Sequence, residues 1–442
     1  MPIHRRDLLR GALALGAAHA LRPLAAAQSP AAPRVNPERL RKRLEDLSVF
    51  GRPAGGTFAD GVSRVAYTDA DVAGRKFAME QMRLAGLEVK IDPAGNILGH
   101  RAGSDATAKP ILFGSHIDSV PSGGNFDGDV GSISAIEVAH TLHDAGISTR
   151  HPLEVTIWAN EEGLLDGSRA AAGQLRPNES GETRQGMPWP EAIRKLGGDP
   201  ARIAEARRAP GSIHAYLELH IEQGGTLDRA QIPIGVVEGI VAIDAYEAVI
   251  HGFANHAGTT PMPERKNALL AAAKLILAVQ DVVVTEPGRQ VGTVGKLEVK
   301  PNAQNVIPGL VTHTIELRDL SQEKIGRLGD EVKRRAKEIA AETGTTIEIT
   351  QIEHVAPAIA TPAVQGTIED AARTLGLKTM RLPSGAGHDA QMLARVGPMG
   401  MIFVPSVAGI SHSPKELTKW DDVANGANVL LQTVLLLDQK QL

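Results

Sequence analysis

The stretch Ile111-Leu-Phe-Gly-Ser-His-Ile-Asp118 decides how this chain folds. An apolar run ends abruptly in a histidine and an aspartate. The run reads as a buried strand over Ile111–Ser115, and His116 falls just past its end, where open α/β sheets place their sites. The pattern recurs outward from it. Strands are expected at Leu87–Ile91, Asn96–His100, Leu153–Ala159 and Gly400–Val404. Helices are expected over 36–49, where Leu40, Leu44 and Leu47 form one stripe, and from Gly131 to Ala145. A further helix opens at the capping box Thr68-Asp-Ala-Asp71. Strands alternating with helices predict an α/β fold whose parallel or mixed sheet is covered on both faces.

The character changes near residue 240. Ala245–His251 reads as a strand, Glu264–Val283 as a helix, Gly292–Val299 and Val311–Leu317 as strands, Ser321–Thr343 as a helix and Thr346–Gln351 as a strand. That order, β-α-β-β-α-β, is a ferredoxin-like α+β unit. After Thr361-Pro362 the first character returns. The expected organisation is a catalytic domain in two parts, 28–240 and 361–442, with a smaller domain, 241–360, inserted between them.

Composition narrows the function. The 442 residues carry 47 Lys+Arg against 51 Asp+Glu, and aromatics make up 3%. A basic nucleic-acid surface and a base-stacking platform are both disfavoured. There is no cysteine, which excludes thiol catalysis, disulfides and cysteine-based metal sites. Any metal must sit on His, Asp and Glu. The N-terminus places Arg5-Arg6 before a short apolar stretch and Ala25-Ala26-Ala27, the layout of a twin-arginine-type export signal over residues 1–27. A periplasmic product is expected. No later segment is expected to reach membrane-spanning length, so the mature chain should be soluble.

Four clusters carry chemistry. His116 and Asp118 precede the glycine-rich Gly123-Gly-Asn-Phe-Asp-Gly128, which can bend Asp127 back toward His116. Asp118 is placed to orient the imidazole. Asn160-Glu-Glu-Gly163 sets two like charges side by side at a strand end, an arrangement a cation relieves: one carboxylate binds it and the other stays free as a base. His220, in Glu218-Leu-His-Ile-Glu-Gln-Gly224, reads by itself first as a satisfied core histidine and second as a ligand. His412 lies in Ile410-Ser-His-Ser-Pro414 beyond the strand Gly400–Val404. Together these offer two carboxylate and three imidazole ligands, too many for one catalytic ion with an open position. They suit two ions about 3.5–4 Å apart, with zinc, manganese or cobalt matching the donors.

These motifs, with Asn255-His-Ala-Gly-Thr-Thr-Pro-Met262, Asn305-Val-Ile-Pro-Gly309 and Ser384-Gly-Ala-Gly-His-Asp-Ala390, occur in an order that resembles the hydantoinase/carbamoylase-family amidases, within the aminoacylase and dipeptidase metalloenzyme superfamily. The resemblance covers residues 36–440. It implies a mixed-sheet di-metal hydrolase domain with an inserted ferredoxin-like dimerisation and lid domain. By the same resemblance His116, Asp127 and His220 hold one ion, and Asp127, Glu162 and His412 the other. Glu161 is the general base. His256 reaches a neighbouring subunit's site in a homodimer and polarises the scissile carbonyl. Gln223 faces the ureido end of the substrate, and Asn305 and Arg318 bind its carboxylate. Gly385 and His388 line the same pocket. Each of the last group has a plainer reading: Arg318 paired with a neighbouring carboxylate, His256 capping a turn, His388 orienting a loop. The implied activity is hydrolysis of an N-carbamoyl-L-amino acid, with allantoate or another ureido acid as the alternative and N-acyl amino acids or dipeptides behind. A non-catalytic binding protein is the competing class, and a base beside the metal ligands argues against it. One departure stands out. Gly163 runs through Leu164-Leu-Asp into Gly167-Ser-Arg169, where family members carry a longer segment with an Arg-Phe pair.

Overall fold

The computed structural model describes residues 33–176 and 181–442; the leader expected at 1–27 lies outside the described residues. Helix α1 (Pro37–Leu47) starts where the Asn36 side chain accepts from the Arg39 N–H, and buries Leu40, Leu44 and Leu47. Helix α2 (Asp69–Leu84) is capped by Thr68, which accepts from the Asp71 N–H at 3.3 Å. The reciprocal half of the expected box is absent: the Asp71 carboxylate accepts from the Tyr67 N–H, 2.8 Å away, because Tyr67 takes a left-handed turn at φ 66°.

Along the chain the strands are β1 (Glu88–Ile91), β2 (Ile97–Arg101), β3 (Ile111–His116), β4 (Leu153–Trp158), β5 (Ala215–Ile221) and β6 (Ile234–Ile240) in a first sheet. Then come β7 (Ala242–His251), β8 (Val291–Thr293), β9 (Leu297–Lys300), β10 (Leu310–Asp319) and β11 (Thr346–Val355) in a second. The chain returns to the first sheet with β12 (Ala358–Ile359), β13 (Thr379–Ser384) and β14 (Met399–Val404).

The first sheet runs β1-β2-β4-β3-β5-β14-β6-β12, with β13 on β6. It is mixed. At its centre β4, β3, β5 and β14 are mutually parallel, and every residue of these four strands is buried. Continuous apolar strands of this kind require cover on both faces. Helices α3 (Asp129–Asp144) and the C-terminal Trp420–Leu437 supply one side, sharing a core with Phe113, Val155, Leu219 and Val404. The short helix Asp389–Leu393 and residues around Ala171 cover Leu112, Trp158, Tyr216 and Phe403 on the other.

The second sheet runs β8-β10-β7-β11, with β9 also on β10, and all its pairings are antiparallel. Helices α4 (Ala268–Thr285) and α5 (Gln322–Thr343) pack on it around Ala248, Ile250, Leu275, Val311, Ile315 and Val332. The single strand expected over Gly292–Val299 is two strands, β8 and β9. Helix α4 begins later than expected: a tight turn over Met262–Glu264, preceded by Pro261 and containing Pro263, comes first, and the Asn267 side chain, accepting from the Leu269 and Leu270 N–H groups, sets the start. Contrary to the sequence reading, α4 is long and apolar enough to cross a membrane. It lies instead along the second sheet, burying Ala268, Ala271, Ala272, Leu275 and Val279.

The two crossings between the sheets are neighbours. Only Val241 separates β6 from β7, and β12 pairs back onto β6 at Ala358↔Ile240 and Ile359↔Gly239.

Candidate active site

The four parallel central strands deliver their carboxyl ends to one place. His116 ends β3, Asn160-Glu161-Glu162 follow β4, His220 lies at the end of β5, and the segment after β14 leads to His412. Several of these turns are held in conformations non-glycine residues rarely adopt: φ is 55° at Asn160, 58° at Gln223 and 54° at His412. Such backbone persists where its surroundings over-determine it, typically at functional sites. Asn160 shows how. Its side-chain amide donates to Asp166 Oδ2 at 2.7 Å, and the same buried carboxylate receives the Tyr67 hydroxyl and the Arg184 guanidinium.

Two glycines of the Gly123–Gly128 loop are required by close approach. A Cβ on Gly124 would stand 2.1 Å from Glu416 Oε1, and one on Gly128 would stand 2.3–2.5 Å from three atoms of the His116 ring. Their absence lets the loop fold Asp127 back onto the histidines.

The result is a compact donor cluster. Asp127 Oδ1 lies 3.2 Å from His220 Nε2 and 3.6 Å from His116 Nε2. Its other oxygen lies 3.5 Å from His412 Nε2, which is itself 3.4 Å from Glu162 Oε2. So His116, Asp127 and His220 form one potential ligand group and Asp127, Glu162 and His412 another, with Asp127 common to both; a third group, Glu218, His220 and His388, shares His220 with the first. Glu161 Oε2 stands 3.6 Å from His116 Nε2 on a side chain only 9% exposed.

The donors fit divalent cations. His116 Nε2 and Glu162 Oε1 are buried without a hydrogen-bond partner, although such atoms are nearly always paired. The other ring nitrogens face carbonyls, His116 Nδ1 at 3.0 Å from Asp118 O and His220 Nδ1 at 2.9 Å from Ile221 O, which leaves both Nε2 atoms as lone-pair donors. The electrostatics agree. Burial pushes Glu161 well above the usual carboxylate range and Glu162 up to about 7, with neighbouring carboxylates adding to both. The Asp127 carboxylate 3.5 Å away pushes His412 up to about 9, with Glu162 adding to it. Asp127 is held low: burial opposes ionisation, but the attraction of the adjacent His220, His116 and His412 rings outweighs it. Without cations, imidazoles must carry the positive charge that three buried carboxylates demand. Divalent ions let every imidazole stay neutral and every carboxylate ionise.

The other sequence-derived candidates fall in several places. Gln223 Nε2 donates to Asp127 Oδ2 at 2.7 Å, and its Oε1 is buried without a partner. Arg318 Nη1 donates to the Gly385 carbonyl at 2.7 Å and Nε to Glu316 at 2.8 Å, so the plainer carboxylate pair and the link to the Gly385 loop coexist. His256 and Asn305 lie exposed on the second unit, joined through the Ala257 N–H to Asn305 O at 2.9 Å. His256 Nδ1 accepts from the Gly258 and Thr259 N–H groups at 2.9 and 3.2 Å. That fixes the tautomer and leaves Nε2–H as a donor. Among the described residues no hydrogen bond or ion pair joins His256 or Asn305 to the donor cluster.

Two expectations need correcting. His388 does not open onto the pocket. It is 1% exposed, its Nε2 lies 2.8 Å from Ser384 Oγ, and its ring sets against the edge of His220 with centroids 4.5 Å apart, bracing that ligand from behind. The Asp118 carboxylate does not hydrogen-bond the His116 imidazole, which it approaches only to 3.7 Å. Its two oxygens accept from the Glu161 and Glu162 N–H groups, each at 3.2 Å, because the short helix Glu161–Leu164 begins there with unpaired donors. Glu222 caps the helix Thr226–Ala230 through the Thr226 and Leu227 N–H groups.

Sequence reasoning also missed residues. Glu416, 5% exposed, accepts from the Phe126 and Asp127 N–H groups. Arg64, fully buried, donates to the Ile117 carbonyl and pairs with Asp129. Neither belongs to a periodic pattern; Glu416 follows His412 by four positions, and that proximity was the one available signal.

A mixed sheet with His and carboxylate ligands gathered at the carboxyl ends of its parallel strands, and a glutamate poised beside them, is the framework of a metal-dependent hydrolase. The chain belongs to peptidase family M20/M25/M40, whose pattern matches residues 112–436. An N-carbamoyl-L-amino acid amidohydrolase from Geobacillus stearothermophilus is 40% identical over 91% of this chain and 98% of its own length. A ureidoglycolate hydrolase from Arabidopsis thaliana is 35% identical over 89% of this chain and 85% of its own. The crystal structure of a hydantoinase/carbamoylase-family amidase from Burkholderia multivorans superposes with a TM-score of 0.83 at 35% identity, covering 92% of this chain and 99% of that one. The chain is an amidohydrolase of this kind.

Proposed function

We propose that the chain hydrolyses the ureido C–N bond of N-carbamoyl-L-amino acids, releasing the amino acid, carbon dioxide and ammonia. The observation that carries the reading is Glu161, a nearly buried carboxylate held 3.6 Å from a metal-ligand histidine while remaining outside these ligand groups. We assign two divalent cations, zinc first and manganese or cobalt also suited, with Asp127 shared, His116 and His220 on one side and Glu162 and His412 on the other. When bound, such a pair acidifies water and polarises a carbonyl.

The chain's own residues do the rest. Glu161 takes a proton from the attacking water and passes it to the leaving nitrogen. The unpaired Gln223 Oε1 accepts from a ureido N–H. Arg318 keeps Nη2 for the substrate carboxylate after spending Nε and Nη1 on Glu316 and Gly385. Asn305 supports that carboxylate, and the Nε2–H of His256 meets the scissile carbonyl oxygen.

A homodimer through residues 241–360 brings His256 to the partner's site in this reading. Leu270, Leu277 and Val284, exposed along α4, support a seam there. Complementation tests it: mixed, individually inactive His256→Ala and Glu161→Gln chains should regain activity, and no recovery would place His256 within its own chain. Residues 1–27 are proposed to direct export to the periplasm, checked by the N-terminal sequence of the periplasmic product.

Allantoate or another ureido acid is the second reading, favoured by the ureidoglycolate hydrolase relative. A panel decides. Metal-reconstituted protein is offered N-carbamoyl-L-amino acids, allantoate, ureidopropionate, N-acyl amino acids and dipeptides, with ammonia and free amine both measured. Release of amino acid with equimolar ammonia from carbamoyl substrates supports the proposal; turnover confined to another class refutes it.

A further inference from the structure

We propose that Glu416 is a positioning residue for the shared ligand Asp127, tying the loop that carries Asp127 to the loop that carries His412. The inference rests on the two-ion reading above and adds a residue that none of the motifs assigned.

The geometry is specific. One oxygen of Glu416 accepts from two successive backbone amides, Phe126 N and Asp127 N, each at 3.0 Å. The other lies 3.0 Å from Ser411 Oγ, and that hydroxyl lies 3.0 Å from Asp127 Oδ2. So Glu416 holds Asp127 through its main chain, and Ser411 Oγ sits between the two carboxylates, its single proton serving one of them at a time. Ser411 is next to His412, and the Glu416 N–H bonds the Ser413 carbonyl at 3.0 Å, which closes the His412 segment on itself. Residues almost 300 positions apart are thereby locked to one carboxylate.

The loop is shaped around this contact. Gly124 has no room for a Cβ because the Glu416 side chain occupies the space, with Oε1, Cδ and Cβ all within 2.5 Å of where it would stand. Gly124, the second glycine of Gly-Gly-Asn-Phe-Asp-Gly, is therefore explained by Glu416. A carboxylate buried at 5% exposure that spends its acceptors on the two amides leading into Asp127 sets the direction from which Asp127 presents both oxygens. Outer partners of metal ligands are typically worth about 10–100-fold in metal affinity.

The test is a titration of metal-stripped protein with Co2+, read by visible absorption, which reports coordination geometry, alongside the thermal melt of the same metal-free samples. Three variants are compared with the native chain. Glu416→Ala should weaken Co2+ binding by about 10–100-fold and alter the absorption bands. Glu416→Gln keeps an acceptor for both amides and should restore affinity and spectrum. Ser411→Ala leaves every backbone amide paired and so tests the carboxylate link without disturbing the fold; it should weaken binding at an unchanged melting temperature. Native affinity and spectrum in both Glu416→Ala and Ser411→Ala would overturn the proposal, as would a Glu416→Ala effect confined to the melting temperature. If the native chain itself binds no Co2+, the two-ion reading fails and takes the proposal with it, an outcome distinct from native binding that the variants leave untouched.

Discussion

Replacing Gly128 by alanine asks how rigidly the chain fixes His116. Gly128 sits at φ 64°, in the left-handed region. Alanine pays about 1–2 kcal/mol to occupy it. The added Cβ would stand 2.3, 2.4 and 2.5 Å from Cε1, Nδ1 and Nε2 of His116, and must reach about 3.4 Å for ordinary contact, so ring and loop must separate by about 1 Å. The ring cannot retreat freely, because its Nδ1 is held at 3.0 Å by the Asp118 carbonyl. Overpacking of this kind costs a further ~1–3 kcal/mol. The variant should therefore lose about 2–5 kcal/mol of stability. A 1 Å displacement of a reacting group costs about 10²-fold in rate. The assays are urea unfolding of metal-free protein, Co2+ titration, and kcat/KM on the substrate that the panel identifies. Unchanged metal affinity and kcat/KM would refute the reasoning, even if stability fell, because the glycine would then serve the turn and not the histidine.

Glu161→Gln keeps the shape of the side chain but not its basicity: kcat should fall about 10²–10⁴-fold with metal stoichiometry retained, and substantial residual turnover would remove Glu161 as the base. Arg318→Ala should act mainly on KM. The side chain is 27% exposed, so the lower end of the range for a paired charge applies, about 2 kcal/mol or about 30-fold, and an unchanged KM counts against carboxylate binding. Stability should also depend on pH through His214. Burial, with the stacked His151 ring 4.1 Å away and Arg150 nearby, lowers its pKa, while Asp438 and a bond to the Leu437 carbonyl act the other way. The unfolded chain then binds the proton more readily, so stability falls as pH drops below about 6.5 toward the folded pKa. His214→Asn should flatten that acid limb of the urea midpoint; an unaltered limb would assign it to other groups.

What could be read in the sequence follows from where its signals are local. Ile111–Ser115, Leu153–Ala159 and Gly400–Val404 are apolar runs too short for helices, and they became buried parallel strands. The stripe Leu40, Leu44, Leu47 needed no partner to be recognised. Order along the chain was enough for the two helices and the long strands of the second sheet, but not for the break that splits 292–299 into two strands. Histidines and carboxylates at strand exits announced the donors. What escaped is set by contacts between distant residues. Glu416 meets Asp127 across 289 positions, and nothing beside it says so. Asp166, which holds Asn160 in its left-handed turn, reads as an ordinary loop acid. Asp118 was assigned to the nearest imidazole, but the unpaired amides at Glu161 and Glu162 compete for the same carboxylate, and that competition appears only once the strands lie side by side. His388 sits in a glycine-rich stretch that looks like an open loop, yet the β13 strand before it turns the ring inward.

The paired crossings at Ile240 and Ala358 make the second unit a cassette. Its entry and exit are hydrogen-bonded neighbours, so a short turn can bridge them without reopening the first sheet. Every proposed ion ligand lies outside the removed stretch, whereas His256, Asn305 and Arg318 lie within it. The proposed ion ligands and the proposed carboxylate and carbonyl contacts thus lie on different stretches of the polypeptide, with Gln223 alone of the proposed substrate contacts staying beside the ions.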